Sequence, residues 1–357
     1  MSTRAESAKI RDFITDNVAD YPYDIAARTA AKFDISRQGV HRHLRNLQFN
    51  GVLSSEGQTK GAFYKLRVVR EFQHSFSRTG LEEHVPWEKN VAPLLASAPE
   101  CVQRICNYGF TEMLNNAIDH SQSERVAVSC ECDARNVTLR IVDHGIGIFR
   151  KIRDAFGLED EWAAIIELSK GKLTTDKENH TGEGIFFTSR VFDRFAILSG
   201  SLYFSHKQDG DWLLEDKKDP STGTSVVMSI SLNSIRTLTS VFDSFTAETD
   251  GSMHFSKTHV PIELLNYGDE NLVSRSQAKR ILARLELFKE VLLDFGGVKV
   301  VGQAFADEIF RVYQNEHPDV RLQYMDANAD VESMIQRAIH RRLHPEDGLA
   351  TPEHPRN

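Results

Sequence analysis

Apolar and polar positions predict three short helices at the start of the chain. Apolar side chains recur three or four residues apart over residues 7–19, 24–33 and 36–47, which places them on one side of a helix. The inward-facing side chains predicted in the successive helices are Ile10, Phe13, Ile14 and Val18, then Ala26, Ala30 and Phe33, then Val40, Leu44 and Leu47. Ser36 is the expected N-cap of the third helix. A strand–turn–strand hairpin is predicted next, over residues 51–66.

The third predicted helix carries polar and basic side chains opposite its apolar stripe. Its sequence, ISRQGVHRHLRNL, resembles the recognition helix of the winged helix-turn-helix domains of bacterial transcription regulators. The resemblance implies that residues 1–70 bind double-stranded DNA, with the start of the helix in the major groove. It implies that Arg37 and Gln38 contact base edges and that Arg42 and Arg45 contact phosphates. Lys60 would contact the DNA backbone from the hairpin, and Ser36 and His41 would lie on the same DNA-facing side of the helix. The alternative is a winged helix that makes only protein contacts.

A longer helical pattern follows over residues 105–120. On this helix Glu112, Asn116 and His120 are four residues apart and share one face. A carboxylate one turn before a carboxamide suits a base that activates water beside a magnesium ligand, because Mg²⁺ prefers oxygen donors and keeps several waters. A solvated polar face is the alternative for this segment taken alone.

Two glycine segments come next. A strand-like alternation leads into Asp143, Gly145 and Gly147. A carboxylate at a strand end can accept a hydrogen bond from an adenine amino group, and glycines let the backbone pass close to a ligand. Gly182 and Gly184 precede another helical pattern, and glycines that open a helix offer backbone N–H groups to phosphate. Each segment alone is also compatible with an ordinary turn.

In this order the segments resemble the Bergerat-type ATP-binding fold of gyrase, the 90-kDa heat-shock chaperones, histidine kinases and MutL, which form the GHKL superfamily. The resemblance covers about residues 92–231 and implies an α/β sandwich that binds ATP and Mg²⁺. Glu112 would be the catalytic base, Asn116 the metal ligand, and Thr224 the support for the contact of Asp143 with adenine. The other nucleotide contacts implied are Asp119, His120, Gly145, Gly147, Gly182 and Gly184, and, in the lid between the glycine segments, Lys170, Lys172, Thr174 and Thr175.

Helical and strand patterns alternate from residue 259 to residue 343 and predict a C-terminal α/β layer domain. The segment LLDFGGVKVVGQAFADEIF resembles the STAS-like domain that is fused to such ATPases in bacterial proteins of unknown function. Related anti-anti-sigma proteins carry a phosphoacceptor serine where this chain has Gly302, Gln303, Ala304 and Phe305. Phosphorylation at that position is therefore excluded by residue type, and a protein partner is expected at this domain.

The complete prediction is a multidomain protein. Its parts are a winged helix over 1–70, a linker over 71–90, an ATP-binding domain over 91–235, a linker over 236–258, a STAS-like domain over 259–343 and a disordered tail over 344–357. The chain has 357 residues, enough for two or three domains, with ordinary fractions of hydrophobic (40%) and charged (26%) residues.

The charge distribution separates the predicted winged helix from the rest. Residues 1–70 hold 12 Lys and Arg against 7 Asp and Glu, although the whole chain has a net charge of −8. A basic head on an acidic body indicates that nucleic acid would meet the head. No apolar run has the length of a membrane span and no signal-peptide core is recognisable, so no membrane partner and a cytoplasmic location are expected. The four cysteines match no zinc spacing and are expected to be reduced thiols.

Three functions from different classes are compatible with these patterns. The first is a homodimeric, nucleotide-gated DNA-binding transcriptional regulator with slow or no ATP hydrolysis. The second is a serine/threonine protein kinase of the anti-sigma-factor type, acting on a separate partner. The third is an ATP-driven DNA clamp like MutL or gyrase, although the lysine that reaches the γ-phosphate in those proteins is not identifiable here.

Overall fold

The computed structural model describes residues 2–57, 63–173, 182–207, 212–249, 252–265 and 272–344. Lys60, Thr174 and Thr175, three of the predicted contact residues, lie outside these ranges, as does most of the predicted tail. The buried apolar side chains form two clusters, a small one within residues 10–53 and a large one that extends from Val91 to Ala338. Among the described helices, none combines the length and the apolar character needed to cross a bilayer.

The head, residues 2–66, consists of three helices and a two-stranded antiparallel sheet. Its elements are α1 (Ser2–Asn17), α2 (Ile25–Phe33), α3 (Arg37–Phe49), β1 (Leu53–Glu56) and β2 (Phe63–Leu66). The inward-facing residues predicted for the first and third helices are confirmed, since they line the small core. The Ser36 hydroxyl accepts a hydrogen bond from the backbone N–H of Gly39, which confirms the predicted N-cap. In α2 the fully buried side chains are Ile25 and Thr29, and the predicted stripe is only half-buried beside them.

The first predicted linker is wrong in part, because it contains β3 (Arg70–Ser77), an edge strand of the central sheet. This strand pairs antiparallel along its whole length with the next one, and Phe72 lies opposite Cys130. None of its side chains is fully buried, so its sequence lacks the continuous apolar character that marks a central strand. The chain then passes through α4 (His84–Pro86), a π-helical turn (Trp87–Val91) and a 3₁₀ turn (Ala92–Leu95).

The central domain, residues 70–245, is a five-stranded sheet with the order β3-β4-β5-β7-β6, in which all described pairs are antiparallel. Its further elements are α5 (Glu100–His120), β4 (Arg125–Cys132), β5 (Asn136–Asp143), α6 (Ile148–Phe156), α7 (Glu161–Lys170), α8 (Gly184–Val191), β6 (Arg194–Lys207), β7 (Trp212–Ser231) and α9 (Leu238–Phe245). Alternate residues of β4 and β5 are buried, and α5 packs on that face of the sheet. The four cysteines are free thiols, as predicted.

The second predicted linker also contains packed structure. Phe242 and Phe245 of α9 contact Phe187 and Phe186, with ring centroids 4.4 and 5.0 Å apart. A hairpin follows, formed by β8 (Thr246–Thr249) and β9 (Ser252–Phe255). Phe255 lies 4.6 Å from the Phe186 ring and 5.4 Å from that of Phe288. The cores of the central and C-terminal domains are therefore continuous.

The C-terminal domain, residues 257–343, is a three-stranded parallel sheet with helices, which agrees with the predicted α/β layer architecture. Its elements are β10 (Lys257–Pro261), α10 (Arg275–Leu282), β11 (Glu290–Asp294), α11 (Gln303–Asp307), α12 (Gln314–Glu316), β12 (Arg321–Met325) and α13 (Ala329–Leu343). The strand order is β10-β11-β12. Short 3₁₀ turns follow β10 and α10, and a π-helical turn extends α11. Ser274 caps α10 in a reciprocal capping box with Gln277.

Candidate functional site

A cavity of about 330 Å³ lies between α5, α6, the start of α8 and the adjoining ends of β5 and β7. Its lining brings together most of the side chains and glycines that the sequence singled out. They are Glu112, Asn116, His120, Asp143, Gly147, Gly182, Gly184 and Thr224. Segments that are more than a hundred residues apart in the chain therefore line one cavity, which their helical and strand spacing alone could not establish.

At one end of the cavity, backbone groups hold Asp143 and Thr224. Asp143 is only 4% exposed, and its Oδ1 accepts a hydrogen bond from the N–H of Gly145 at 2.9 Å. Burial raises the pKa of Asp143, while bonds from backbone N–H groups oppose that rise. Thr224 lies directly opposite Asp143 in the β5–β7 ladder, and its hydroxyl accepts from the N–H of Ile148 at 3.0 Å. A buried carboxylate with one oxygen fixed in this way can accept a hydrogen bond from a ligand amino group.

Gly145 does not line the cavity, and close packing explains why this residue is a glycine. A Cβ at this position would overlap the carbonyl oxygen of Ser121, just after α5. The next residue, Ile146, donates its N–H to that same oxygen at 2.9 Å. Gly223 has φ +78°, and a Cβ there would overlap the backbone of Asp143. Gly145 thus lets the loop after β5 pack directly on the end of α5, next to His120, and Gly223 lets β7 approach the backbone of Asp143.

At the opposite end, Gly182 and Gly184 lie beside Glu112. A Cβ on Gly184, the first residue of α8, would overlap Oε2 of Glu112. Gly182 has φ +73° and accepts a hydrogen bond from the N–H of Leu173 at 3.1 Å. Leu173, which lies within the predicted lid, is thus bonded to the second glycine segment. Glu112 and the N-terminus of α8 together form the part of the cavity that suits a terminal phosphate and its attacking water.

Asn116 lies between these two ends on the cavity face of α5. Across the described ranges, no three His, Cys, Asp or Glu side chains are grouped so that they could hold a metal ion. A Mg²⁺ ion at this site would therefore depend on the Asn116 oxygen together with phosphate oxygens and water, which is a donor set that Mg²⁺ accepts.

The prediction that Lys170 and Lys172 line the phosphate site is wrong, because both contact the C-terminal domain. Lys170 is fully buried, and its Nζ lies 2.6 Å from Oε1 of Glu167 and bonds the carbonyl oxygens of Arg280 and Ala283 at 3.0 and 2.8 Å. Burial lowers the pKa of Lys170, and Glu167 opposes this. Lys172 donates to the carbonyl oxygen of Leu287 at 2.8 Å.

The positions of Asp119 and Lys151 both depart from the sequence prediction. Asp119 does not line the cavity, whereas Lys151, which the sequence analysis missed, does. Lys151 is one helical turn after Gly147 in α6, and its Nζ donates to the carbonyl oxygen of His120 at 3.3 Å. Burial lowers its pKa, and the nearby Asp119 carboxylate opposes this. Its position four residues after Gly147 could have identified it, because residues four apart on a helix lie on the same face.

The candidate DNA-contact residues of the head lie away from this cavity. Ser36, Arg37, Gln38, His41, Arg42 and Arg45 are all exposed on or next to α3. Helix α1 of the head docks on the central domain through Arg135, which lies between β4 and β5. Its guanidinium contacts Asp12 Oδ1 at 2.7 Å, Thr15 Oγ1 at 2.8 Å and Asp16 Oδ1 at 3.2 Å. Arg194 pairs with Asp20 in the same interface.

Comparison with known families identifies two parts of the chain. Residues 105–234 match the family described as histidine kinase-, DNA gyrase B-, and HSP90-like ATPase. Residues 277–332 match a STAS-like domain of unknown function (DUF4325). No curated protein matches the chain. The GHKL and STAS-like interpretations are thereby confirmed for these ranges, and neither match includes the head.

Proposed function

We propose that this chain, which combines a GHKL-type ATPase domain with a C-terminal STAS-like domain, is a nucleotide-gated, DNA-binding transcriptional regulator of the cytoplasm. One relationship carries the proposal. Strand β5 begins beside Arg135, which holds the head, and ends at Asp143 in the nucleotide cavity. Eight strand residues span roughly 25 Å, so one rigid element connects the two contacts.

The described residues fit a nucleotide from end to end. Asp143 would accept the adenine amino group, with Thr224 holding the surrounding backbone. Asn116 would contribute an oxygen to Mg²⁺, which when bound neutralises phosphate charge. Glu112 would orient water toward the terminal phosphate. No described lysine or arginine lies at the Glu112 end of the cavity, so slow hydrolysis is expected.

Nucleotide would act on the C-terminal domain through the lid, the stretch of about residues 149–180 between the two glycine segments. The lid includes α7, whose last residue Lys170 bonds two carbonyl oxygens of the C-terminal domain. Arg284 of that domain pairs with Glu167 of α7 at 2.8 Å and bonds the carbonyl oxygen of Lys172. A lid ordered by ATP would favour one arrangement of these contacts over another, which is a population shift. A protein partner at the STAS-like domain would bias the same equilibrium.

DNA would bind to the exposed face of α3. Arg37 and Gln38, at the N-terminal end of the helix, would reach base edges, whereas Arg42 and Arg45 would contact phosphates. Helix-turn-helix proteins read paired half-sites as dimers, so the active species would be a homodimer.

Selection from a random DNA library tests this function directly. The purified wild-type chain is tested once with ATP and Mg²⁺ and once with ADP. The variant Asp143→Asn is tested in the same way and should not respond to nucleotide. The expected result is a defined sequence whose recovery changes between ATP and ADP in the wild-type protein alone. Arg37→Ala should relax the selected sequence, and Arg45→Ala should weaken binding to all sequences alike. Recovery of no preferred sequence under any condition would refute the DNA-binding role.

A protein kinase acting on a separate partner is the second candidate. It is favoured by Glu112, Asn116 and His120, which share one cavity wall in a spacing that resembles the anti-sigma-factor serine kinases. The acceptor would be external, because residues 302–305 of the C-terminal domain offer no hydroxyl. Transfer of labelled phosphate from ATP to a serine of a co-purified protein, lost in Glu112→Ala, would support this function over the first.

A further inference from the structure

We propose that Lys151 binds the phosphates nearest the nucleoside, which ADP and ATP share. This inference rests on the proposed nucleotide binding and adds a residue that the family patterns above do not include. Lys170 and Lys172 were predicted to supply the cations of the cavity, but both contact the C-terminal domain. Lys151 would supply a phosphate-binding cation in their place.

The charge of the cavity wall is the first observation. Among the described residues that line the cavity, Lys151 is the only lysine or arginine, whereas Glu112 and Asp143 are carboxylic acids. A nucleotide brings several negative charges into a half-enclosed space, where charge interactions are stronger than in open water. Lysine binds phosphate as a point charge with three donors, so one ammonium can serve two phosphate oxygens.

The position of Lys151 in α6 is the second observation. The helix begins directly after Gly147, which has φ +82° and whose carbonyl oxygen accepts the N–H of Lys151 at 3.1 Å. Lys151 is thus one turn from the loop that carries Asp143. A Cβ at Gly147 would lie 2.7 Å from Ser199 Oγ, so the start of the helix is fixed against the sheet. The side chain extends from a rigid element into the cavity.

The order of groups along α5 decides which phosphates Lys151 meets. Residues four apart on a helix are separated by about 6 Å along its axis, so Glu112 and His120 are roughly 12 Å apart. Gly184 lies against Glu112, whereas the loop after Asp143 packs on Ser121, next to His120. The Lys151 ammonium bonds the carbonyl oxygen of His120. It therefore lies at the nucleoside end, away from the position suited to the terminal phosphate.

Nucleotide titrations of Lys151→Met test this assignment. We expect ATP and ADP affinities to fall by similar factors of about tenfold or more, because a charge-assisted contact is lost from both complexes. Adenosine affinity should not change, and Lys151→Arg should restore most of the loss. Arg150→Met is the matched control, since this neighbouring side chain is 66% exposed and outside the cavity lining.

Each outcome has a separate meaning. Unchanged ATP and ADP affinities in Lys151→Met would overturn the inference, provided that the wild-type protein binds nucleotide. Loss of ATP affinity with normal ADP affinity would also overturn it, because Lys151 would then contact the terminal phosphate. A wild-type protein that binds neither nucleotide would refute the proposed function itself. An equal loss of adenosine affinity would show that the variant disturbs the whole cavity, and this also contradicts the inference.

Discussion

Gly184 and Glu112 are in such close contact that no other residue fits at position 184 unless the carboxylate moves. The added Cβ of Gly184→Ala would meet Oε2, the mobile end of a side chain, so Glu112 would rotate away and the fold would persist. We expect ATP turnover to fall at least about tenfold, as for misplacement of a catalytic group, while the thermal midpoint of unfolding changes little.

Two other glycines provide controls for that variant. Gly39→Ala adds a Cβ in ordinary contact with Ser36 Oγ, 3.5 Å away, and should leave nucleotide turnover unchanged. Gly145→Ala should destabilise the fold by about 1–3 kcal/mol, because its Cβ would overlap a backbone carbonyl that cannot rotate away. Normal turnover in Gly184→Ala would contradict the placement of Glu112 at the reacting phosphate.

Glu112 and Asn116 should differ in what they contribute to nucleotide chemistry. Glu112→Ala should bind ATP with nearly wild-type affinity and lose turnover, because a residue that orients water acts after binding. Asn116→Ala should lose the magnesium dependence of ATP affinity, since its oxygen is the expected protein ligand. Calorimetric titration with and without Mg²⁺ and a phosphate-release assay measure both effects. Wild-type hydrolysis by Glu112→Ala would refute its role as the base.

Lys170 should be required for stability and not for phosphate contact. Lys170→Met removes one of the two cationic partners of a buried carboxylate, Glu167, which keeps Arg284, and it leaves two carbonyl oxygens without their donor. A buried polar group left unsatisfied costs about 1–3 kcal/mol, so stability should fall by at least this amount, which chemical denaturation would measure. Lys299→Met, at an exposed position of the C-terminal domain, should change stability by less than about 0.5 kcal/mol. A Lys170→Met protein of normal stability with weakened ATP binding would restore the original phosphate assignment.

Arg135 should transmit the nucleotide signal to the head. Arg135→Ala removes contacts to Asp12 and Asp16, both of which are more than half exposed, so stability should fall by less than about 1 kcal/mol. DNA affinity should then be the same with ATP and with ADP. Arg104→Ala, which breaks an exposed pair with Glu100, should keep the nucleotide response. A normal response in Arg135→Ala would exclude this interface as the route.

Local sequence patterns predicted the structural features that depend on residues close together in the chain. The helices of the head, the Ser36 cap and the glycine segments each follow from spacing within about ten residues. The position of Lys170 does not, because its partners include backbone oxygens of residues 280 and 283. A basic residue beside a glycine in a polar stretch has the same local appearance whether it meets phosphate or a neighbouring domain. Only the tertiary contact separates the two.

Strand β3 was missed for a related reason. Its pairing partner, β4, is some fifty residues further along the chain, and its own side chains are half-buried or exposed, with none fully buried. Lys151 was missed because α6 had not been predicted, so its cavity-facing side was unknown. The family resemblance identified Glu112, Asn116 and the two glycine segments, but not Lys151, which lies between those segments in the chain.

The edge position of β3 determines where this protein could be divided. A fragment that starts at residue 91 would make β4 the edge strand and leave one side of its backbone unpaired from Arg125 to Cys132. Alternate side chains of β4 are fully buried, whereas none of β3 is, so the new edge would pair with other molecules more readily than the native edge. Strand β3 follows the head after only three intervening residues, 67–69. A fragment that keeps the native edge must therefore begin at or before residue 70, directly after the head.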